Sequence, residues 1–120
     1  VVVLDMGEKF ANKTGADSHV YLKDAAIHAR NIAKQYDCAV IWMSQLSAEA
    51  EGKIYVDQSM LEGSKTGKAA EADVIIGVGH RDKMDTDERV RSLAISKNKI
   101  TGWHGLKNCI IIPELSRYAE

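Results

Sequence analysis

The sequence predicts an α/β domain with a largely parallel sheet and a carboxyl-terminal antiparallel hairpin. Strand-like and helix-like segments alternate in the order β-α-β-α-β, which is typical of a parallel sheet with helical crossovers. Two further strand-like runs follow, separated by a short turn that contains glycine, and this pattern indicates a hairpin. The 120 residues, of which 45% are hydrophobic and 28% charged, suffice for one compact domain spanning residues 1–120.

The first half of the chain predicts a strand, a helix and a second strand. Residues 1–6 (VVVLDM) form a β-branched run that ends near an acid, which indicates a buried strand. Apolar residues then recur every three or four positions over residues 20–36, which predicts a helix with one apolar face. The run CAVIWMS at 38–44 predicts a second buried strand, and the polar segments 7–18 and 45–58 predict loops.

The second half predicts a short helix, a third strand and the hairpin. Residues 64–72 favour a helix that Gly67 weakens. The run DVIIGVG at 73–79 predicts a strand whose end is set by its glycines. The runs RVRSLAISKNK (89–99) and LKNCIIIPEL (106–115) then predict two antiparallel strands joined through ITGWHG.

Composition excludes several classes of protein. The net charge of −1 excludes a globally basic nucleic-acid binder, although a local basic strip is compatible with it. Both cysteines, Cys38 and Cys109, lie in apolar runs and are expected to be reduced, and no histidine pair has metal-ligand spacing. No apolar run reaches the roughly 18 residues of a membrane span, so a cytoplasmic setting is expected. The opening VVVLDM lacks an initiator Met, and we expect the chain to begin within a domain.

Polar side chains follow the first two predicted strands. Asp5 ends the first strand, and Ser44 with Gln45 ends the second. Ligands of open α/β sheets bind at the carboxyl ends of the strands, where a carboxylate can hold Mg²⁺ and a neutral polar pair can sense a phosphate. Each signal also has a plain structural interpretation, as an acid that caps a turn or as a polar strand exit.

Two lysines alternate near the end of a later strand. Lys97 and Lys99 fall on one face of the SKNK run, where two neighbouring cations favour an anionic partner such as a phosphate. Two solvated lysines on a hairpin are the alternative.

The segment GSKTGKA at residues 63–69 imitates a phosphate-binding loop. Three residues, and not the required four, separate Gly63 from Gly67, and Ala69 follows Lys68 where Ser or Thr is needed. We therefore reject it as a P-loop. The segment could contact a nucleic-acid backbone or simply be a solvated helix start.

The order of these motifs resembles the carboxyl-terminal half of DnaB-type hexameric replicative helicases, including their phage primase-helicase relatives. VVVLDM resembles the Walker B strand, and AAIHARNIAKQYDCAVIWMSQLS resembles the helix and strand that end in a Ser-Gln-Leu motif. LEGSKTGKAAEADVIIGV and LAISKNKITG resemble the next two family segments. The resemblance implies a RecA-like P-loop NTPase core, present here as a partial domain that lacks the Walker A segment.

The resemblance also implies roles for individual residues. Asp5 would hold Mg²⁺ through water, and Gln45 beside Ser44 would couple the nucleotide state to the DNA loops. Lys97 and Lys99 would reach the γ-phosphate bound by the neighbouring subunit, with Lys99 in place of the usual Arg finger. Loops at 47–56 and 63–68 would face single-stranded DNA, with the contacts Lys53, Gly63, Ser64, Lys65 and Lys68.

The implied function is that of an ATP-dependent replicative DNA helicase that translocates on single-stranded DNA and unwinds duplex. Its cofactors would be ATP and Mg²⁺, and its partners single-stranded DNA, further copies in a hexameric ring, and primase, with no membrane. The chain alone, without a Walker A segment, is expected to be inactive, and Lys99 favours a phage source. The alternatives are a RecA- or RadA-type recombinase ATPase, or a non-catalytic module for DNA binding or assembly.

Overall fold

The computed structural model of the protein describes residues 1–9, 18–63, 65–80 and 88–119. The chain forms two compact units. The first consists of Val1–Ser47 and Leu61–Ala72, and the second of Ala48–Met60 and Asp73–Glu120.

The first unit contains two strands and two helices. In chain order these are β1 (Val2–Leu4), α1 (Ser18–Gln35), β2 (Val40–Trp42) and α2 (Lys65–Glu71). The strands β1 and β2 pair in parallel, with Val2 opposite Val40 and Leu4 opposite Trp42. This confirms the predicted β-α-β start of the chain, because a parallel pair needs the crossover that α1 supplies.

Helix α1 lies within one residue or two of its predicted bounds. Its buried side chains Leu22, Ala26 and Ala29 are spaced by four and three residues, so they form one face. Helix α2 packs against α1, with Ala69 buried on its side of the contact. Neither helix of the described ranges has the combination of length and apolarity that crossing a membrane requires.

The two strands of the first unit are less buried than their composition predicts. Val3 on β1 and Ile41 on β2 are exposed, and they lie opposite each other in the parallel register. Side chains of a strand alternate between its two faces, so one face of this pair is apolar and open. The prediction of fully buried strands was therefore wrong for this face.

The second unit is built on an antiparallel sheet. Its strands are β3 (Val74–Gly79), β4 (Val90–Asn98), β5 (Gly105–Ile112) and β6 (Arg117–Ala119), in the spatial order β3-β4-β5-β6. The β4–β5 hairpin confirms the predicted one. The short edge strand β6 was not predicted; it follows a left-handed turn at Ser116.

The prediction of a largely parallel sheet was wrong. Strand β3 pairs antiparallel with β4, so within the described residues the parallel pairing is confined to β1 and β2. The connection from Gly79 to Val90 explains the difference. A parallel return would need a crossover of about a dozen residues or more, usually a helix, and this charged segment is too short for one.

The glycines of β3 lie inside the strand and make room for a neighbouring loop. Val56 is 2% exposed and lies over Gly77, where an added Cβ would come within 2.6 Å of the Val56 Cβ. At Gly79 an added Cβ would collide with the carbonyl oxygen of Ile54. The glycines therefore do not end the strand, as the sequence suggested, but allow the loop backbone to approach it.

We expect Gly79→Ala to destabilise the second unit by roughly 1–3 kcal/mol, the usual cost of overpacking, because the Ile54 carbonyl would have to move. Urea unfolding followed by circular dichroism would measure the change. Gly102→Asn is the control: Gly102 has φ of 71° and nothing within 4 Å of an added Cβ, and Asn tolerates that backbone conformation. Equal stability of Gly79→Ala and the wild type would contradict the close approach.

Candidate functional site

The parallel pair places the predicted nucleotide residues at one edge of the sheet. Asp5 follows β1, and Ser44 with Gln45 follows β2 one residue later. Backbone hydrogen bonds hold the two exits together: the Met43 amide donates to the Leu4 carbonyl over 3.0 Å, and the Gly7 amide to the Met43 carbonyl over 3.2 Å. The side chains of Asp5 and Gln45 are exposed there.

A buried lysine from α2 reaches this edge. Lys68 is 7% exposed, and its ammonium donates to the Glu8 carboxylate over 2.7 Å and to the Ser44 hydroxyl over 2.8 Å. Its third acceptor is the carbonyl oxygen of Glu62, over 2.5 Å. Ser44 in turn donates its hydroxyl proton to Glu8. Because an ammonium group has three donors, Lys68 is fully satisfied.

Glu8 belongs to a 3-10 turn, Gly7–Lys9, that follows β1. Its side chain is 22% exposed and forms the ion pair with Lys68. Burial by itself raises the pKa of this carboxyl, but the hydrogen bonds from Lys68 and Ser44, with the nearby Lys68 charge, outweigh it, so its pKa lies below its ordinary value of 4.5. The carboxylate is therefore ionised at neutral pH.

Lys68 was expected to contact the DNA backbone, and the structure corrects this. A lysine that is buried and bound to three acceptors within its own unit is not available to a phosphate on the surface. The sequence misled because a lysine in a Gly- and Lys-rich turn normally points to solvent. Glu8 was missed altogether, since nothing in the sequence distinguishes it from other acids of a polar loop.

The segment before α2 is tied to the exit of β2. The Glu62 amide donates to the Gln45 carbonyl over 3.1 Å, and Leu46 pairs with Leu61 in an isolated antiparallel bridge. Glu62 thus bonds Gln45 through its amide and Lys68 through its carbonyl. The predicted nucleotide sensor and the predicted DNA loop are joined by two hydrogen bonds through a single residue.

The other end of α2 is held by α1. The Arg30 guanidinium donates to the carbonyl oxygen of Glu71, the last residue of α2, and its Nε lies 3.8 Å from the Glu71 carboxylate. An arginine at this position satisfies a carbonyl that the helix itself leaves without a partner and offsets the negative end of the helix dipole. Helix α2 is therefore anchored at Lys68 and at Glu71.

The remaining predicted DNA contacts have varied positions. Lys53 is exposed, in the second unit. Gly63 is half-buried with a φ of 77°, and an added Cβ there would meet a methyl group of Leu22. Lys65 begins α2, and Ser64 lies outside the described residues. The DNA-binding role of these four residues stays a prediction.

The predicted trans-acting lysines belong to the second unit. Lys97 is half-buried on β4, and Lys99 is exposed just after the strand ends. The Lys99 amide donates to the Asp73 carbonyl over 2.8 Å, which fixes the backbone at the start of the hairpin turn. The role of both lysines toward a phosphate stays a prediction.

The hairpin turn beside Lys99 is held by one side chain. The Asn98 side-chain oxygen accepts hydrogen bonds from the amides of Ile100 (3.0 Å) and Thr101 (3.1 Å). Its amide group donates to the Thr101 hydroxyl (2.7 Å) and the Trp103 carbonyl (3.1 Å). The turn is thus ordered while Ile100 and Trp103 remain 75% and 59% exposed.

We expect Glu8→Gln to lower the free energy of unfolding at pH 7 by about 1 kcal/mol, because the amide keeps an acceptor but loses the charge. The contribution of a carboxyl with a lowered folded pKa is present above its unfolded pKa and is lost as the pH falls through the folded pKa. The difference between wild type and Glu8→Gln should therefore shrink below about pH 4.5.

Urea unfolding of the chain at pH 7 and at pH 3 would measure this difference. Glu114→Gln is the matched control, because it removes an exposed carboxylate from a 3-10 turn. A Glu8→Gln effect that is the same at both pH values would show that the Lys68 ion pair does not stabilise the fold.

Comparison with known proteins agrees with the fold. The ATPase domain of a helicase superposes with a TM-score of 0.85 and 21% identity, covering 98% of this chain and 43% of its own. A DnaB-like replicative helicase that interacts with primase superposes with the same TM-score and identity, covering 98% of this chain and 30% of its own. No family model and no curated protein matches the sequence. The chain spans less than half of either structure, and it has the fold of part of a DnaB-like helicase, which confirms the resemblance predicted from its motifs.

Proposed function

We propose that the chain is part of an ATP-dependent replicative DNA helicase that forms a hexameric ring, translocates on single-stranded DNA and unwinds duplex. The observation that carries the proposal is the meeting of Asp5 with Ser44 and Gln45 at the carboxyl edge of a parallel strand pair, in a chain with this fold. Open α/β sheets bind ligands at that edge.

Asp5 is the proposed Mg²⁺ residue. Among the residues that the structure describes, no three His, Cys, Asp or Glu side chains gather into a metal cluster. One exposed carboxylate still fits Mg²⁺, which keeps several of its waters and takes its other ligands from substrate phosphates. Asp5 would hold the ion through water, and the ion would supply charge neutralisation at the phosphates of ATP.

Gln45 is the proposed sensor of the nucleotide. Its side chain is exposed at the sheet edge, where an amide can donate to a phosphate or orient a water. The Ser44 hydroxyl is engaged by Lys68 and Glu8, so we assign to Ser44 the task of holding the edge beside Gln45. Hydrolysis would proceed by attack of water on the γ-phosphate of ATP.

Lys97 and Lys99 are the proposed cations that act between subunits. Positive charge beside the γ-phosphate stabilises the charge that develops in phosphoryl transfer. Lys99 precedes a turn that Asn98 keeps ordered, which limits the entropy lost when the lysine meets a phosphate. A lysine supplies a point charge and not the planar fork of arginine, so we expect slower hydrolysis than an arginine would give.

The proposed partners are single-stranded DNA, further copies of the protein and primase, in the cytoplasm. Lys53, Gly63, Ser64 and Lys65 are the proposed DNA contacts, through charge and backbone rather than base edges. The chain alone contains no Walker A motif, so we propose that it hydrolyses ATP as part of the intact protein, which supplies the phosphate-binding loop.

We expect Lys99→Ala in the intact protein to lower DNA-stimulated kcat by roughly 10- to 1,000-fold, since trans cations of this kind contribute on that order or more. A steady-state ATPase assay with and without single-stranded DNA would measure it. Lys34→Ala, which removes an exposed lysine from α1, is the control.

Mixtures of wild-type and Lys99→Ala subunits extend the test. If Lys99 acts on the neighbour's phosphate, activity should fall with the mutant fraction more steeply than in proportion. Absence of hydrolysis by the intact wild type would contradict the helicase proposal. Hydrolysis that is indifferent to Lys99→Ala would retain the ATPase and remove Lys99 from it.

A further inference from the structure

Lys68 contacts three chain segments that the proposed function assigns to two different tasks. Glu8 follows the strand that ends at Asp5, and Ser44 adjoins Gln45, so both belong to the nucleotide edge. Glu62 and Lys68 itself belong to the segment that leads through the proposed DNA loop into α2.

We propose that Lys68 is a positioning residue that couples the DNA-facing segment to the nucleotide edge. The inference rests on the proposed function and specifies how its two sites communicate. Lys68 would touch neither nucleotide nor DNA. It would fix the position of α2 and the preceding loop relative to the β1 and β2 exits.

The geometry makes this coupling directional. All three donors of the ammonium are used, and each acceptor lies on a different segment. A shift of the β2 exit therefore stretches the bond to Ser44, while the Gln45 carbonyl pulls on the Glu62 amide, so both act on the loop before α2. A buried ammonium cannot replace a lost acceptor with water, and the bonds should consequently move together or break together.

The chemistry of Lys68 separates coupling from simple packing. An apolar side chain of similar length would fill the same space without the cost of burying a charge. It would lack directional bonds to the Glu8 turn, the Ser44 hydroxyl and the Glu62 carbonyl. Lys68→Met therefore removes the connection while keeping most of the volume.

The test measures the ATPase of the intact protein without DNA and with saturating single-stranded oligonucleotide. We expect Lys68→Met to lower the ratio of the stimulated to the basal rate by roughly 5-fold or more, a size typical of coupling between two sites. The affinity for the oligonucleotide should also differ less between an ATP analogue and ADP than it does in the wild type. Lys23→Met, on the exposed side of α1, is the matched control.

Glu8→Gln is the second variant, used in case Lys68→Met does not fold. It keeps an acceptor for Lys68, so we expect a smaller loss of the same ratio. A ratio that stays at the wild-type value in a folded variant, or basal and stimulated rates that fall in parallel, would overturn the coupling role. A wild-type protein without DNA-stimulated hydrolysis would instead overturn the proposed function, and the inference with it.

Discussion

The first unit of the protein depends on one buried cation. The Lys68 ammonium needs three acceptors because it is taken out of water, and it finds them on the Glu8 turn, on Ser44 and on the Glu62 carbonyl. Removing any one of these partners leaves a polar group buried and unsatisfied, which costs more than the bond itself contributes. The positions of the two strand exits and of α2 are thereby made interdependent.

This constraint explains why the candidate site is built from residues far apart in the sequence. The parallel register of β1 and β2 brings their exits together, and this alone places Asp5 near Ser44 and Gln45. Lys68 then adds a further segment to the same edge, and Arg30 holds the far end of α2. The proposed nucleotide residues and the proposed DNA loop thus share one network of polar contacts.

The sequence predicted those features that local pattern determines. The apolar period of α1, the β-branched runs of β1 and β2 and the glycine-containing turn between β4 and β5 all have short-range signals, and the motif order revealed the helicase fold. Tertiary contacts decided the rest. The burial of Lys68 depends on acceptors up to 60 residues away, and Gly77 resembles a strand breaker in the sequence because the signal gives no sign of Val56 above it. The antiparallel course of β3 could have been predicted, because the segment before β4 is too short for a helical crossover.

A double-mutant cycle between Glu8→Gln and Lys68→Met tests the central claim most directly. The free energy of unfolding would be measured by urea titration at pH 7 for the wild type, both single variants and the double variant. The account predicts a coupling energy of about 1–3 kcal/mol, as expected for two residues in one buried network. Effects that add within about 0.5 kcal/mol would show that the two residues act independently, and the interdependence of the strand exits and α2 would be contradicted.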